Sequence, residues 1–301
     1  MFCGRKNCFA RTLNLRSSLF FKIFFAYFLC KESRARPPTN SNLKSPARLS
    51  LDGKSIKPTH TNNITQNKRK EILMTYVISN LHGNLEKFNT ILEKTGFNDN
   101  DVMYVLGDII DIGASSMELL CDLSMRYNVI PIVGEHELTA LHLLSELDKV
   151  FRGGASPDPE IMGELTDWMR MGGAPTIEGF KALDDDMKEG VLEYLEELSL
   201  YEEVEVKGKK YLLVHAGIAD FDPDTPLEDY MPEDFISQPL DPDIPYFDGV
   251  TVIAGHIPTN KIGSEGGKIF YGNGSILIDC GVAVGGSLGC LRLEDGKEFY
   301  A

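Results

Sequence analysis

Four histidines stand at the ends of short apolar, β-branched runs, each close to a glycine: His82 in VISNLHGN, His136 in PIVGEHE, His215 in YLLVHAG and His256 in VIAGH. A fifth run, VLGDIID, ends the same way but carries Asp108 and Asp111. Imidazoles and carboxylates are metal-ligand and acid–base groups, and strand ends are where an α/β sheet presents its chemistry. A chain that repeats the arrangement five times is constrained to bring five strand ends to one sheet edge. For any one of these histidines alone, a satisfied core or capping residue is the plainer reading. Together they point to a polynuclear metal site built by loops.

The charge is unevenly spread. The 301 residues carry a net charge of −15, yet residues 1–73 hold 15 Lys/Arg against 3 Asp/Glu, and the remainder 15 against 42. So acidic a balance argues against nucleic acid or an anionic membrane as a partner of residues 74–301. The six cysteines (Cys3, Cys8, Cys30, Cys121, Cys280 and Cys290) show no CxxC spacing, which speaks against a zinc ribbon or a thioredoxin-like motif. Cys121, Cys280 and Cys290 fall in or near regular elements and read as reduced core thiols, which implies a reducing compartment, the cytoplasm.

Residues 1–73 are a different kind of sequence. Arg5, Lys6, Arg11 and Arg16 precede the apolar run LFFKIFFAYFL, and a polar stretch without periodicity follows, which is expected to be disordered. The basic start resembles a signal or targeting segment, but the run is short for a membrane span and no small-residue cleavage site follows. Met74 directly precedes the first strand, so an over-extended gene start is the favoured account of this extension. A single domain is expected over 74–301.

From there the pattern is regular. Strands are predicted at 75–79, 102–108 and 129–134, alternating with helices at 85–96 and 115–127. That βαβαβ order implies parallel strands with right-handed crossovers. Further helices are predicted at 137–151, 159–171 and 184–199. A hairpin around Gly208, the runs 251–255 and 275–281, and a closing pair around Asp295-Gly296 read as a second sheet. Two packed sheets with helices outside result. His60 and His142 are given no role. Asp279 reads as a strand-closing residue, and GNGS (272–275) as a turn, since no Lys or helix follows it.

The motifs SNLHG (79–83), GDIIDIG (107–113), GEHE (134–137), HAG (215–217) and GH (255–256), in this order, resemble those of the calcineurin-like metallophosphoesterases, in particular the bacterial phosphoprotein-phosphatase branch. The stretch DWMRMGGAPTIEGF, with Trp168, Gly172, Gly173 and Thr176, resembles that branch's W…GG…T segment. The resemblance implies a four-layer α/β/β/α sandwich with mixed sheets and a dinuclear site of divalent ions, manganese first, with iron or zinc as alternatives. Carried over by position, Asn80 and His82 would serve the first metal, and Asp108 would bridge. Glu135, His215 and His256 would serve the second metal. His136 would be the general acid, oriented by Asp111. Two cations held in this way bind phosphate oxygens and lower the pKa of water between them.

Four departures bear on activity. The first-motif aspartate is Asn80, a neutral and weaker donor to a hard cation. The asparagine expected before His136 is Glu135, so one carboxylate is moved from the first metal to the second. The phosphate-clamping arginine of the second motif is Ile112. A second arginine is expected between HAG and GH, but residues 218–254 contain no Lys or Arg and ten carboxylates, Asp220, Asp222, Asp224, Glu228, Asp229, Glu233, Asp234, Asp241, Asp243 and Asp248. The plainer reading of that stretch is a solvated acidic loop; the sharper one is a filter against polyanions. The expected activity is hydrolysis of phosphomonoesters in the manner of a serine/threonine protein phosphatase, on a phosphorylated protein or a small phosphoester. The alternative is a catalytically impaired relative kept as a binding or regulatory module.

Overall fold

The computed structural model describes residues 74–154 and 156–301, so the expectations for residues 1–73 fall outside the described residues. Ten strands form two five-stranded mixed sheets, with helices over the outer face of the first. This is the metallophosphoesterase type of α/β architecture that the motifs imply.

The first sheet is built on β1 (Thr75–Ile78), β2 (Val102–Leu106) and β3 (Val129–Ile132), paired parallel with β2 in the middle. Side chains alternate across it with period two. Tyr76, Ile78, Met103 and Val105 enter the helix-side core, while Val77, Tyr104 and Leu106 enter the core between the sheets. Burial on both faces explains why these strands read as continuous apolar runs.

The helix-side core is closed by α1 (Leu85–Thr95), α2 (Ser116–Met125), α3 (Glu135–Phe151), α4 (Pro159–Trp168), α5 (Ala174–Lys181) and α6 (Asp185–Glu196). Helix α1 starts where the Asn84 side chain accepts from the Lys87 N–H, ends at left-handed Gly96, and buries Phe88 and Ile91. Helix α4 is opened by Asp158, whose carboxylate accepts from the Glu160 and Ile161 N–H groups at 3.0 Å, with Pro159 in the first turn. The predicted helix 159–171 ends earlier, at Trp168. A wide turn, Met169–Gly173, then leads into α5, which the sequence reading did not anticipate. Gly172 sits there at φ 110°, and a Cβ would lie 2.7 Å from Ile112 Cγ1, so a bulkier residue would be strained and crowded.

The second sheet has the order β4 (Tyr201–Val206), β5 (Lys209–Val214), β6 (Val250–Ala254), β8 (Ser275–Leu277) and β7 (Phe270–Tyr271). Strands β5, β6 and β8 are parallel. The β4–β5 hairpin turns at Lys207 and Gly208, both at positive φ, as a two-residue turn of primed type requires. GNGS lies in the turn between β7 and β8.

One assignment is corrected. The closing pair, β9 (Gly289–Arg292) and β10 (Lys297–Tyr300), does not complete the second sheet but extends the first, antiparallel to β1. Strand β1 is buried on both faces, so its free edge must find backbone partners within the protein. Strand β9 supplies them, and the Glu294 carboxylate accepts from the Thr75 N–H. In the second sheet β4 and β7 occupy the edges.

The outer face of the second sheet carries no long helix among the described residues. It is covered by the acidic segment 218–247, which contains short 3₁₀ turns and is fastened by Ile218, Phe235, Ile236, Leu240 and Tyr246 against Leu212, Val214, Val252 and Ala254. Charged residues of the segment face solvent while these five anchor it. Cys280 and Cys290 are buried and free, and Cys121 is half-buried. Among the described residues no helix is long and apolar enough to cross a membrane. Phe235 is fully buried beneath the acidic segment, and its backbone carbonyl accepts from Ala216 of the HAG loop at 3.1 Å. Phe235→Ala should cost about 3–5 kcal/mol, read from the denaturant midpoint at unchanged slope.

Candidate metal centre

The five strand ends named above meet at one edge. Asn80 and His82 follow β1, Asp108 follows β2, Glu135 and His136 follow β3, His215 follows β5 and His256 follows β6. Within the first sheet β1, β2 and β3 run parallel to one another, and within the second β5 and β6 do, so in each sheet these loops leave the same end. The loops brace one another through backbone bonds: Asn80 N–H to Gly107 O at 3.1 Å, His82 N–H to Asp108 O at 2.9 Å and Gly83 N–H to Ile109 O at 2.7 Å. Among the described residues eight non-glycine residues have positive φ, and six of them are Asn80, His82, Asp108, Asp111, Ile112 and His256. Backbone strain concentrated in this way is characteristic of functional sites. Gly107 also has a steric reason: a Cβ there would lie 2.6 Å from the Gly134 Cα and 2.7 Å from His215 Nδ1.

Two groups of side chains bring ligand atoms within 4.8 Å of one another, and they share Asp108. One is His82, Asp108 and His136; the other is Asp108, His215 and His256. His215 is fully buried and its Nδ1 lies 2.8 Å from the Leu106 carbonyl, which can only accept, so Nδ1 carries the proton. In the neutral ring Nε2 then presents a lone pair, 3.4 Å from Asp108 Oδ2 and 3.2 Å from His256 Nδ1. A lone pair facing a buried carboxylate is repulsive unless a cation lies between them. Burial lowers the pKa of His82 to about 4, outweighing the attraction of Asp108, and it lowers that of His256 as well. Both rings are thus neutral, as ligands must be. Burial opposes the charge on Asp108, but positive charge on the rings of His215, His136 or His82 and the backbone N–H of His136 favour it, and the balance lies below the usual carboxylate range. This donor set fits divalent cations.

His136 differs from the other rings. Its Nδ1 is 2.6 Å from Asp111 Oδ2. Burial would lower its pKa, but the Asp111 bond and the charges of Asp108, Asp111 and Glu137 raise it to about 9. Asp111, wholly buried, also receives the Trp168 indole N–H at 2.7 Å and the Thr176 hydroxyl, and Thr176 Oγ1 accepts from the Asp111 N–H. The W…GG…T stretch thereby acquires a physical role, that of holding the partner of His136. Gly173 is part of it, because a Cβ there would lie 2.6 Å from the Trp168 ring.

Two expected ligands stand differently. Asn80 is buried, but its Oδ1 accepts from the His256 N–H at 2.9 Å while its Nδ2 donates to Asp108 Oδ2 at 3.0 Å. As placed it turns a donor, not an oxygen, toward the cluster. Glu135 is exposed at the rim and is not among the gathered residues, though its charge is felt at His256. Ile112 stands 43% exposed, its N–H donating to the Gly172 carbonyl at 2.8 Å, so an apolar side chain occupies this edge. Asp279 accepts from the Gly281 N–H at 2.8 Å, a local closing role as expected. His142 meets Glu164 on the surface.

One residue escaped the sequence reading. Glu137, fully buried, accepts from the N–H groups of Asp108 (2.8 Å), Ile109 (2.8 Å), Ile110 (3.2 Å) and Gly134 (3.0 Å). Burial, with Asp108 nearby, pushes its pKa up to about 7. The available signal was the last letter of GEHE, three residues into a helix, where a carboxylate caps the helix start.

A fold of two mixed sheets with paired carboxylate–imidazole groups at the strand ends defines a metal-dependent hydrolase class. The family model of the calcineurin-like phosphoesterases matches residues 73–278, and the chain belongs to that family. It is 28% identical over 207 residues to an uncharacterized protein of Methanocaldococcus jannaschii, MJ0912, covering 68% of this chain and 71% of that one. Shorter matches are to symmetrical bis(5'-nucleosyl)-tetraphosphatases: 35% identity over 71 residues with that of Buchnera aphidicola and 28% over 106 residues with that of Pseudomonas fluorescens. These span 23% and 33% of this chain and only 26% and 36% of the relatives. A solved structure provisionally assigned as a diadenosine tetraphosphatase shares the fold, with a TM-score of 0.53 and 16% identity over 77% of this chain and 94% of that one.

Thr176→Val removes one donor to a buried carboxylate and leaves the Asp111 N–H without its acceptor. It should cost about 1–3 kcal/mol of stability, measured by denaturant unfolding.

Proposed function

We propose that the chain is a metal-dependent phosphomonoesterase of the serine/threonine protein phosphatase kind, acting on weakly charged phosphoesters. The observation that supports this best is the convergence of two ligand groups on the single carboxylate of Asp108. Two divalent cations, manganese first, would be held with Asp108 shared, His82 on one side, and His215 and His256 on the other. Asn80 and Glu135 are the further positions assigned to them. Such ions, when bound, supply charge for phosphoryl oxygens and a water of lowered pKa.

The remaining chemistry belongs to the chain. His136 keeps a proton near neutral pH because Asp111 holds Nδ1. Its Nε2 proton is the one offered to the leaving oxygen. Asp111 cannot turn away, since Trp168 and Thr176 bind its carboxylate. Glu137 fixes the Asp108 backbone and the start of the helix that carries His136, so bridging carboxylate and acid keep their spacing. The apolar Ile112 edge offers no fork of donors for a phosphate, and the segment 218–254 offers only negative charge. Both favour a substrate with a single phosphate over a polyphosphate. The buried free thiols of Cys280 and Cys290 are compatible with a reducing compartment such as the cytoplasm.

A second reading, hydrolysis of a dinucleoside polyphosphate, is favoured by the tetraphosphatase relatives over the part of the chain that they match. The test is manganese-dependent hydrolysis of an aryl phosphate and of diadenosine tetraphosphate by the full chain. The expected result is turnover of the aryl phosphate, abolished in Asp108→Ala, with a fall in kcat of roughly 10²–10⁴-fold in His136→Asn. Hydrolysis of the tetraphosphate alone would establish the second reading. Bound metal without turnover of either would leave a binding module.

A further inference from the structure

We propose that this chain holds one divalent cation tightly, among Asp108, His215 and His256, and a second only weakly beside His82, and that Asn80 is the cause. The inference rests on the two-cation reading given above and concerns how the two positions differ.

Asn80 is committed in both directions. Its amide oxygen accepts from the backbone N–H of His256 at 2.9 Å. A backbone N–H can only donate, so this bond decides which end of the amide is oxygen. The NH₂ end must then face Asp108 Oδ2, and it does so at 3.0 Å. At the position beside His82, to which the motif resemblance assigns Asn80, the side chain therefore offers a hydrogen-bond donor in place of an oxygen. To offer its oxygen there, Asn80 would have to break the His256 bond and rotate within a site where it is 1% exposed. What remains on that side is His82, the shared Asp108 and His136, whose other nitrogen is bound to Asp111.

The opposite side is better furnished. His215 is locked in the tautomer that points a lone pair inward. His256 is held by its backbone to Asn80. Glu135, exposed at the rim, is the further carboxylate that the motif resemblance assigns to this side. Affinity for hard divalent cations follows the charge and number of oxygen ligands. The carboxylate absent at 80 and present at 135 therefore divides the two positions into a weak one and a tight one.

The test is dialysis of the full chain against graded Mn²⁺, with bound metal counted and Trp168 emission followed. Trp168 is the chain's one tryptophan and is bonded through Asp111 to His136, so it reports on the His82 side. One ion per chain should be retained at low concentration. The second should fill only at concentrations higher by at least the roughly 10–100-fold that an outer partner of a metal site is worth, and Trp168 emission should change with this second ion. Asn80→Asp, which keeps the acceptor for His256 and tolerates the left-handed backbone, should bring the two affinities together. If that variant does not fold, His82→Ala must leave the tight ion in place and His256→Ala must remove it.

Two ions of equal affinity in the unaltered chain, no retained ion, or an Asn80→Asp variant with an undiminished gap would overturn the proposal. Equal sites with phosphatase turnover would sink only the asymmetry. Unequal sites without turnover would sink only the phosphoesterase reading.

Discussion

The geometry of the site depends on one buried carboxylate that touches no substrate. Glu137 gathers four backbone N–H groups, three from the loop after β2 and one from the residue preceding α3. Those donors would otherwise be unpaired in the interior, at a cost of about 1–3 kcal/mol each, so the loop and the helix start have little freedom to separate. Asp108 is thereby held in a left-handed conformation that it would not adopt alone. Its carboxylate is delivered to a point facing imidazoles from both sheets. The candidate ligand groups are thereby set in place by backbone bonding, as a preorganised site requires.

The strand-end histidines were legible because two requirements coincide in the sequence. A strand buried on both faces reads as an apolar run, and the loop after it must bear the chemistry, so VISNLHG, VLGDIID and YLLVHAG each announce both. Glu137 was not legible for the opposite reason. A glutamate in the first helical turn is common on any surface helix, and only the tertiary structure shows that four donors close over it. The closing hairpin was misplaced because nothing in LRLEDGKEFY says which of two sheets has an unfilled edge. That is settled by the burial of β1, whose free side only β9 satisfies. Helix α5 was hidden by Gly172 and Gly173, which read as a loop and in fact let the chain turn closely against Ile112 and the Trp168 ring. The roles of Trp168 and Thr176 were marked by the pattern that contains them, but their shared target, Asp111, was not.

The electrostatic character of the edge follows from residues far apart in sequence. Ile112 removes a cation from one side of the centre, and the segment 218–254 supplies none on the other. That segment does not pack as a helix because its apolar residues (Ile218, Phe235, Ile236, Leu240 and Tyr246) are too widely and irregularly spaced for one face. They suffice to pin it over the second sheet, with its carboxylates left in solvent. The same sequence thus covers the outer core with its few apolar residues and leaves its charge in water, where salt screens it beyond a Debye length of ~8–10 Å.

Asn80 shows how a neutral residue changes what the centre is without ions. Two aspartates side by side in a buried position repel unless a cation neutralises them, so a site with a carboxylate at both 80 and 108 would be held together by its metal. An amide at 80 can accept from the His256 loop and donate to Asp108 at once, a combination that a carboxylate, accepting only, does not offer. It ties the first sheet's loop to the second sheet's loop with neutral bonds, and the ring of His256 is kept beside that of His215. The amide at 80 thus lends the loops cohesion from the protein's own bonds, where a carboxylate there would add only a second negative charge beside Asp108.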